Sequence, residues 1–384
     1  MDETWYRVRN NGQIKTMRIW IEQDGNEWKV MSESAQSETA KKRQNHDGTY
    51  PTLADAEFWW RSNRKKKAIN EGYSATRDEA INDPKFMPML AKGTMNTKTG
   101  EIKPEMFAHI TYPLILQRKF DGMRCLASTE PDGSILLLSR KRNEIPAPVP
   151  LLRQEIANLP IPDDVILDGE LYVHGSDADF EQSKGWFRTG DGASIQAHER
   201  EVPNHQQLIK YRVYDFYDPD NPDLTYEERY KLLEQWLDPN SDRVILTKNY
   251  YANDFQEAHD LAEQFLKEGY EGGIARLPQA KYLVNGRNKN HLLKLKFWID
   301  DEFQIVGFKG GDKPASKDLV TWRCWSELGN KVFDVTPDAT EEQRRKWLKD
   351  GEKHIGSDLT VMFEKYSKDG IPLKGRGKAI RNYE

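Results

Sequence analysis

The stretch PLILQRKFDGMRCLAST, residues 113–129, contains the pattern around which the rest of the chain is organised. Its first part, 113–120, is mostly apolar and predicts a β-strand. Its last part is followed by Pro-Asp-Gly at 131–133 and by the apolar run 135–140, which predicts a hairpin that turns at the glycine. We therefore expect a sheet in the middle of the chain.

Polar side chains share one face of this first strand. Because successive side chains of a strand alternate, Gln117, Lys119 and Asp121 project together, next to a turn at Gly122 that permits a close backbone approach. This arrangement suits ligand binding. It is also typical of an exposed strand end that is held by a salt bridge.

The segment VILDGELYV, residues 165–173, predicts a second strand of the same kind. Its apolar side chains share one face, whereas Asp168 and Glu170 lie on the other. Two carboxylates on one face of a strand suit a divalent cation or the hydroxyl groups of a ribose.

The segment HLLKLKFW, residues 291–298, predicts a third strand, with Lys294 and Lys296 on the face opposite Leu293, Leu295 and Phe297. Two ammonium groups about 7 Å apart on a buried strand are costly without anions. Triphosphate oxygens would supply the anions. The alternative is an edge strand whose polar face is solvated.

Composition excludes several classes of protein. The chain has 384 residues, which predicts two or three domains. Its mean hydropathy is -0.84, and it contains no run of about 18 apolar residues, the length that a membrane-spanning helix needs. The first ten residues are charged and carry no secretory signal. With only two cysteines, we expect neither a disulfide framework nor a cysteine-ligated metal, and we predict a cytoplasmic protein without a membrane partner.

The predicted architecture is multidomain α+β. Residues 1–75 form a small α+β module, residues 76–300 a connector at 76–115 followed by a mixed α/β body, and residues 301–384 a small β-barrel of the OB type with a helix near 340–350. Helix starts are predicted at Thr52, at Thr225 with Glu228, and at Asn253 with Gln256. A basic run on the first of these helices is a candidate nucleic-acid contact or a solvated face: Arg61, Arg64, Lys65, Lys66 and Lys67.

Six segments in order resemble motifs of the covalent nucleotidyltransferase superfamily, which holds ATP-dependent DNA ligases, RNA ligases and mRNA capping enzymes. They are KFDGMR (119–124), SRKRNEIP (139–146), LDGELYV (167–173), VYDFYD (213–218), EGGIAR (271–276) and LLKLKF (292–297). The flanking segments PMLAKG, FEQSKGWFRTG and GRNKNHLLKLK are similar to those of small phage and viral ATP-dependent DNA ligases. Residues 52–75 also resemble the end of a WGR domain, a DNA-binding module, although the Trp-Gly-Arg tripeptide is absent.

The resemblance implies an adenylation domain followed by an OB-fold domain, and it implies roles for single residues. Lys119 would be the nucleophile that carries AMP, while Lys294 and Lys296 would hold the α-phosphate and neutralise developing charge. A nucleophilic lysine must be the free amine, so nearby cations would have to depress its pKa.

The remaining implied roles concern ATP, metal and nucleic acid. Arg124 and Glu170 would hold the ribose, Tyr214 would stack on adenine, and Gln117 would contact the base. Glu271 and Glu170 would bind Mg²⁺ or Mn²⁺, and Arg140 would contact a 5′-phosphate. Residues near the end of the chain would orient pyrophosphate: Arg376, Lys378 and Arg381.

The function implied by the resemblance is an ATP-dependent DNA ligase that seals 5′-phosphate/3′-hydroxyl nicks through a lysyl-AMP intermediate. It would act as a monomer on nicked duplex DNA or on an RNA–DNA hybrid, in a cell that could be a phage-infected bacterium. The alternatives are an RNA ligase or an enzyme that joins mixed RNA–DNA ends. A capping guanylyltransferase matches the flanking segments less well, and a non-enzymatic alternative is an inactive ligase-fold protein that binds nucleic acid.

Overall fold

The computed structural model describes residues 1–8, 13–65, 68, 71–82, 86–96, 99–147, 149–173, 180–188, 190, 192–312, 316–367 and 369–381. The chain divides into two compact units. The first combines residues 1–94 with 104–295, and the second combines 95–103 with 296–384. The segment 1–75, which we predict to be a separate domain, is thus part of the first unit.

The described strands are numbered in chain order: β1 Asp2–Val8, β2 Ile14–Asp24, β3 Glu27–Ala35, β4 Arg43–Tyr50, β5 Lys92–Gly93, β6 Leu114–Arg118, β7 Met123–Thr129, β8 Ile135–Ser139, β9 Ile166–Tyr172, β10 Lys210–Tyr217, β11 Val244–Leu246, β12 Tyr250–Ala252, β13 Gly273–Arg276, β14 Leu292–Leu295, β15 Ile299–Gly310, β16 Val320–Ser326, β17 Lys331–Pro337, β18 Asp358–Phe363, β19 Lys365–Tyr366, β20 Pro372–Leu373 and β21 Arg376–Arg381.

The described α-helices are α1 Leu53–Trp59, α2 Arg77–Asn82, α3 Pro150–Ala157, α4 Phe180–Arg188, α5 Gly192–Glu201, α6 His205–Leu208, α7 Tyr226–Trp236, α8 Phe255–Lys267 and α9 Glu341–Lys349. Within the described part of the chain, none of these helices has the length and apolar character needed to cross a membrane.

The N-terminal residues form a four-stranded antiparallel sheet in the order β1-β2-β3-β4. Strands β2 and β3 lie on either side of the Gly25 turn and pair with β1 and β4 at the edges. Helix α1 starts after Thr52, whose hydroxyl accepts a hydrogen bond from the amide of Asp55 at 3.2 Å, as predicted. The helix continues as a π-helical turn, Trp60–Lys65, and Trp60 is buried in the core of this part.

Two five-stranded sheets make up the rest of the first unit. Sheet one has the order β11-β10-β9-β7-β8, and sheet two has the order β12-β6-β13-β14-β5. The predicted hairpin is β7–β8, and the three predicted strands are β6, β9 and β14. The predicted connector, 76–115, contributes more than expected, because β5 pairs in parallel with β14 as the edge strand of sheet two.

The helix starts of this unit follow local hydrogen bonds. Thr225 and Glu228 form the predicted capping box at the start of α7. The predicted start of α8 is wrong by one residue, since Asp254 accepts the hydrogen bond from the amide of Glu257 at 2.8 Å. The backbone and side-chain amides of Asn253 instead donate to the Glu257 carboxylate. The capping acceptor is therefore the carboxylate of Asp254, one residue later, which reaches an amide of the first turn.

The second unit contains an OB-fold barrel, closed by strands in the order β15-β16-β17-β21-β18. Helix α9 lies between the third and fourth of the barrel strands along the chain and starts after Thr340, close to its predicted position. The sequence prediction missed the last barrel strand, β21, and treated its basic residues only as candidates for orienting pyrophosphate. Small and charged residues predominate in β21, and such a strand has little apolar alternation to detect.

Candidate active site

Lys119 lies just beyond the end of β6 and contacts Glu271, which lies just before β13 on the neighbouring strand. The amide of Lys119 donates to the carbonyl of Gly272 at 3.0 Å, and the amide of Glu271 donates to the carbonyl of Lys119 at 2.9 Å. Gly272 has a φ of 109°, a left-handed conformation that favours glycine. The Lys119 ammonium forms an ion pair with the Glu271 carboxylate, and both side chains are mostly buried.

Three charged residues lie side by side across sheet one. Glu170 on β9 is paired in register with Arg124 on β7 and with Arg212 on β10, so the three side chains point to the same face. Glu170 also accepts a hydrogen bond of 3.4 Å from the hydroxyl of Tyr214. Tyr214 sits in a β-bulge of β10, at the register shift between Val213 and Asp215.

The charges around Glu170 show that the two sheets bring their polar faces together. Burial raises the pKa of the Glu170 carboxyl to about 8, while the positive charges of Lys119 and Arg124 oppose the rise. The carboxylates of Glu271 and Asp168 add to it. A partly buried carboxyl near another carboxylate is a site that a cation would stabilise in its ionised form.

The predicted pair of carboxylates, Asp168 and Glu170, does share a face of β9, but Asp168 has protein partners. Arg124 donates to it with Nε at 2.8 Å, and the hydroxyl of Tyr282 donates at 2.6 Å. The third guanidinium nitrogen of Arg124 donates to the carbonyl of Met89 at 2.7 Å. Asp168 therefore fixes Arg124 in place beside Glu170.

Two Asp-Gly pairs, the predicted turn at Gly122 and Gly169 within β9, place their glycines against other parts of the protein. A Cβ on Gly122 would lie 2.2 Å from the carbonyl oxygen of Leu171, and a Cβ on Gly169 would lie 2.5 Å from the ring of Tyr211. Each glycine thus allows close approach of protein to protein inside sheet one, rather than approach of the backbone to a ligand.

Gln117 is 2% exposed, and protein groups surround its amide. The amide nitrogen donates to the hydroxyl of Tyr226 at 2.8 Å and to the side chain of Asn249 at 3.0 Å. The amide oxygen accepts from Arg276 at 2.6 Å. The amide predicted to contact a base is therefore already hydrogen-bonded within the protein.

Sequence reasoning missed the ion-pair network that continues from Gln117. Arg276 donates to Asp215 at 2.7 Å, and Arg229 donates to the same carboxylate at 2.6 Å. Burial would raise the pKa of Asp215, but the two guanidiniums hold it below its ordinary value. Arg276 and Asp215 both lie inside motif segments, EGGIAR and VYDFYD. Their position inside these segments is the sequence signal that could have identified them.

Lys294 joins the polar face of sheet two. It is paired in register with Ile274 on β13, which is paired in turn with Gln117 on β6, so Lys294 and Gln117 point to the same side. Its side chain passes over Gly93, where an added Cβ would lie 3.3 Å from the Lys294 Cε atom.

Lys296 does not share this strand. Strand β14 ends at Leu295, and Lys296 belongs to the second unit, where its ammonium pairs with Glu364 at 3.3 Å. Lys374 pairs with the same carboxylate at 2.6 Å. The predicted strand was too long because the lysine–leucine alternation continues beyond the last residue that pairs with β13.

The residues predicted to orient pyrophosphate all lie on β21 of the second unit. Arg376 lies over the ring of Trp298 at 5.9 Å, and Lys378 pairs with Asp338 at 2.7 Å. Arg381 donates to the hydroxyl of Thr360 at 2.8 Å. Each of these cations therefore has a partner within its own unit.

Arg140, the predicted 5′-phosphate contact, is exposed and has other cations nearby. Partial desolvation lowers the pKa of Arg140, and the nearby guanidiniums of Arg124 and Arg287 lower it further. Sequence reasoning missed Arg287. It follows Asn285, whose carbonyl accepts a 2.5 Å hydrogen bond from Arg7 of the N-terminal sheet.

The structure describes only part of the predicted basic run. Arg61 is exposed and pairs with Glu57 at 3.4 Å. The backbone of Arg64 and Lys65 lies in the π-helical turn, and Lys66 and Lys67 lie outside the described residues.

Comparison with known proteins gives concordant results. A family model described as "ATP dependent DNA ligase domain" matches residues 88–296. The chain is 32% identical over 302 residues to a DNA ligase of African swine fever virus, covering 75% of this chain and 68% of that protein. It is 29% identical over 245 residues to a DNA ligase of Enterobacteria phage T4, covering 54% and 49%. A solved structure from a study of Lig E DNA ligases is similar in fold, with a TM-score of 0.56, 19% identity, and coverage of 76% of this chain and 100% of that one.

Proposed function

Because the chain belongs to the ATP-dependent DNA ligase family, we propose that it seals nicks in duplex DNA through AMP carried on Lys119. The observation that carries this proposal is the convergence of Lys119, Glu271, Glu170 and Arg124 on one site. An amine nucleophile surrounded by carboxylates and a guanidinium has the groups needed for phosphoryl transfer from a nucleotide.

In the first proposed step, Lys119 Nζ attacks the α-phosphorus of ATP, a phosphorus–nitrogen bond forms, and pyrophosphate leaves. The nitrogen must first lose its proton, and Glu271 is the carboxylate that it already contacts. Lys294, which points to the same face of sheet two as Gln117, would neutralise charge on the α-phosphate. A matching role for Lys296 would require it to leave Glu364.

Two further steps complete the proposed cycle. AMP passes from Lys119 to the 5′-phosphate of the nick, which frees the lysine and forms a 5′–5′ pyrophosphate bond. The 3′-hydroxyl then attacks that 5′-phosphate, forms the phosphodiester and displaces AMP. Arg140, beside Arg124 and Arg287, is the proposed contact for the 5′-phosphate.

The contacts that we propose for the nucleotide lie on sheet one. Glu170, held next to Arg124, is the proposed ribose ligand, and Tyr214 in its β-bulge is the proposed partner of the adenine ring. The Gln117 amide is engaged by Arg276 and Tyr226, so we propose that it supports the strand beneath the base rather than pairing with it.

The proposed metal ligands are Glu170 and Glu271. Carboxylate oxygens are the donors that Mg²⁺ prefers, and a bound cation would offset the effect of burial and of the neighbouring carboxylates, which raise the pKa of Glu170. When bound, Mg²⁺ or Mn²⁺ would neutralise phosphate charge and polarise the α-phosphate.

The proposed partner is nicked duplex DNA, and the proposed functional unit is a monomer. The N-terminal sheet and helix α1, with Arg61 exposed, would add contacts to the duplex backbone. Both cysteines, Cys125 and Cys324, are buried and free, which supports the proposal of a cytoplasmic enzyme.

The test is covalent labelling. The full chain is incubated with α-labelled ATP and Mg²⁺ without nucleic acid, and the adduct is mapped. We expect label on Lys119, none in Lys119→Ala, and normal labelling in Lys267→Ala, a control at the exposed end of α8. Labelling of a different lysine would contradict the mechanism. Ligation of nicked duplexes with each strand in turn as DNA or RNA then tests strand preference.

A further inference from the structure

An aromatic cluster lies next to the candidate active site and has no part in the steps above. Its rings are those of Phe120, Tyr172 and Tyr270, with centroids 5.0 Å apart for Phe120 and Tyr172 and 5.7 Å for Phe120 and Tyr270. Phe120 directly follows Lys119, and Tyr270 directly precedes Glu271. The cluster therefore adjoins the Lys119–Glu271 pair in sequence, and its neighbouring cations are Arg118 and Arg212.

Tyr172 ties the cluster to sheet one. It is two residues after Glu170 on β9, so both side chains point to the same face at a spacing of about 7 Å. Arg212 on β10 is the register partner of Glu170 and points to that face too. The cluster is thus the continuation of the polar face on which Glu170 lies.

Two arginines border the aromatic cluster, and only one of them is neutralised. Arg118 lies 5.2 Å from the ring centre of Tyr270 and donates to Glu268 at 2.8 Å. Arg212 lies 5.9 Å from the ring centre of Phe120. Among the residues that the structure describes, the Arg118 guanidinium is thus matched by a carboxylate and the Arg212 guanidinium is not.

Arg212 is partly buried, yet its donors are unused within the described part of the chain. Its Nε is buried without a hydrogen-bond partner, and none of the side-chain hydrogen bonds or ion pairs of the described residues involves its guanidinium. Burial also lowers the pKa of Arg212. A guanidinium has five N–H donors, and leaving a buried one unsatisfied typically costs about 1–3 kcal/mol. A protein can tolerate this cost at a binding site, because the ligand satisfies the donors when it binds.

We propose that Arg212 binds a phosphate group, with the aromatic cluster as the wall of its site. The proposal rests on the ligase function proposed above. A planar guanidinium fork matches phosphate oxygens in a bidentate way, and aromatic neighbours strengthen the interaction by excluding water. The phosphate comes either from the triphosphate of ATP or from the backbone of the nicked strand.

A purely structural role for Arg212 is the competing explanation. Stacking of its guanidinium on Phe120 would stabilise the fold whether or not phosphate binds. The two explanations differ in salt dependence. A lost phosphate contact on duplex DNA reduces the slope of log affinity against log salt by about 0.9, whereas a lost stacking contact leaves the slope unchanged.

The experiment uses the full chain with Arg212→Gln, which removes the charge, and Arg212→Lys, which keeps the charge but loses the fork. Lys210→Gln is the matched control, since Lys210 is two residues earlier on the same face of β10 and pairs with Asp242. For each protein, the KM for ATP is measured in Lys119 labelling, and nick affinity is measured over a range of salt concentrations. Urea unfolding gives the fraction of folded protein.

The expected result depends on the source of the phosphate. If it is backbone phosphate, Arg212→Gln lowers the salt slope by about 0.9 and leaves the KM for ATP unchanged. If it is ATP, Arg212→Gln raises the KM for ATP about tenfold and leaves the slope unchanged. In either case, the value for Arg212→Lys should lie between those for Arg212→Gln and the parent, and Lys210→Gln should match the parent.

Three results would overturn the inference. The first is an Arg212→Gln protein with parental KM and slope, even if its unfolding midpoint drops. The second is an equal effect in Lys210→Gln, which would indicate a general charge effect. The third is an Arg212→Lys protein with the parental KM for ATP and the parental salt slope, together with an Arg212→Gln protein that differs from the parent only in its stability to urea. Absence of label on Lys119 in the parent protein would instead reject the ligase mechanism, and the two failures are therefore distinguishable.

Discussion

Replacing Glu170 with Gln should change how the stability of the protein depends on pH. Burial raises the pKa of Glu170 from 4.5 to about 8 in the folded chain, so between these pH values the unfolded chain loses this proton while the folded chain keeps it. The stabilising effect of the protonated carboxyl is complete below pH 4.5 and is lost as the pH rises toward 8. Glutamine cannot ionise, and it resembles the protonated carboxyl in size and polarity.

The magnitude follows from the two pKa values. A single proton held by the folded state changes the free energy of unfolding by about 1.4 kcal/mol per pH unit within this window. Water that reaches the partly buried carboxyl reduces the effect, so we expect the parent to lose roughly 2 kcal/mol more than Glu170→Gln between pH 5 and pH 7.

Urea unfolding at pH 5, 6 and 7 in buffer with EDTA measures this difference. Glu263→Gln, at a side chain 44% exposed on α8, is the control and should run parallel to the parent. Parallel curves for the parent and Glu170→Gln would refute the argument, because they would mean that Glu170 titrates alike in the folded and unfolded chains.

Adding Mg²⁺ to the same unfolding experiment tests metal binding at Glu170. A cation held by Glu170 and Glu271 favours the ionised carboxyl, so saturating Mg²⁺ should flatten the pH dependence of the parent. The Glu170→Gln curve should keep its slope, and an unchanged parental slope would count against metal binding at Glu170.

Other substitutions test the rest of the site. Lys294→Ala should slow Lys119 labelling more than tenfold while changing the free energy of unfolding by no more than about 0.5 kcal/mol, as compared by single-turnover labelling and urea unfolding. Glu271→Ala should raise the Mg²⁺ concentration needed for half-maximal labelling, and an unchanged Mg²⁺ titration would remove it from the site. Arg61→Gln should lower the salt slope of nick binding by about 0.9 without affecting labelling, whereas equal slopes would indicate a solvated face. Asp215→Asn should destabilise the fold by about 3–5 kcal/mol in urea, since Arg229 and Arg276 would lose their buried partner.

Local patterns were sufficient for much of the fold. A mostly apolar run identified β6, alternation of side chains identified β9 and β14, and the Pro-Asp-Gly turn identified the β7–β8 hairpin. The capping box at Thr225 needs only residues three positions apart. Such signals depend on neighbours in sequence, so they can be recognised before the chain is folded.

Polar or short strands gave no such signal. Strand β5 has two residues, and β21 has glycine and charged residues where an apolar face would be expected. Both strands exist because a partner in the sheet or barrel supplies their hydrogen bonds, and no periodicity within the strand records that partner.

The order of motifs in the sequence is enough to select the candidate side chains for the chemistry of this protein. The order of six motifs pointed to Lys119, Glu170, Glu271 and Lys294, and to an adenylation domain followed by a barrel. Strand alternation also placed Asp168 and Glu170 on one face, which the structure confirms.

Only the tertiary structure decided how those side chains are paired. Lys119 and Glu271 are 152 positions apart and meet because β6 and β13 are neighbours in sheet two. Asp168 is taken by Arg124, and the Lys296 ammonium pairs with Glu364 in the second unit. The physical reason is that the free energy of a charged group depends on burial and on the charges around it, and folding brings those from distant parts of the chain.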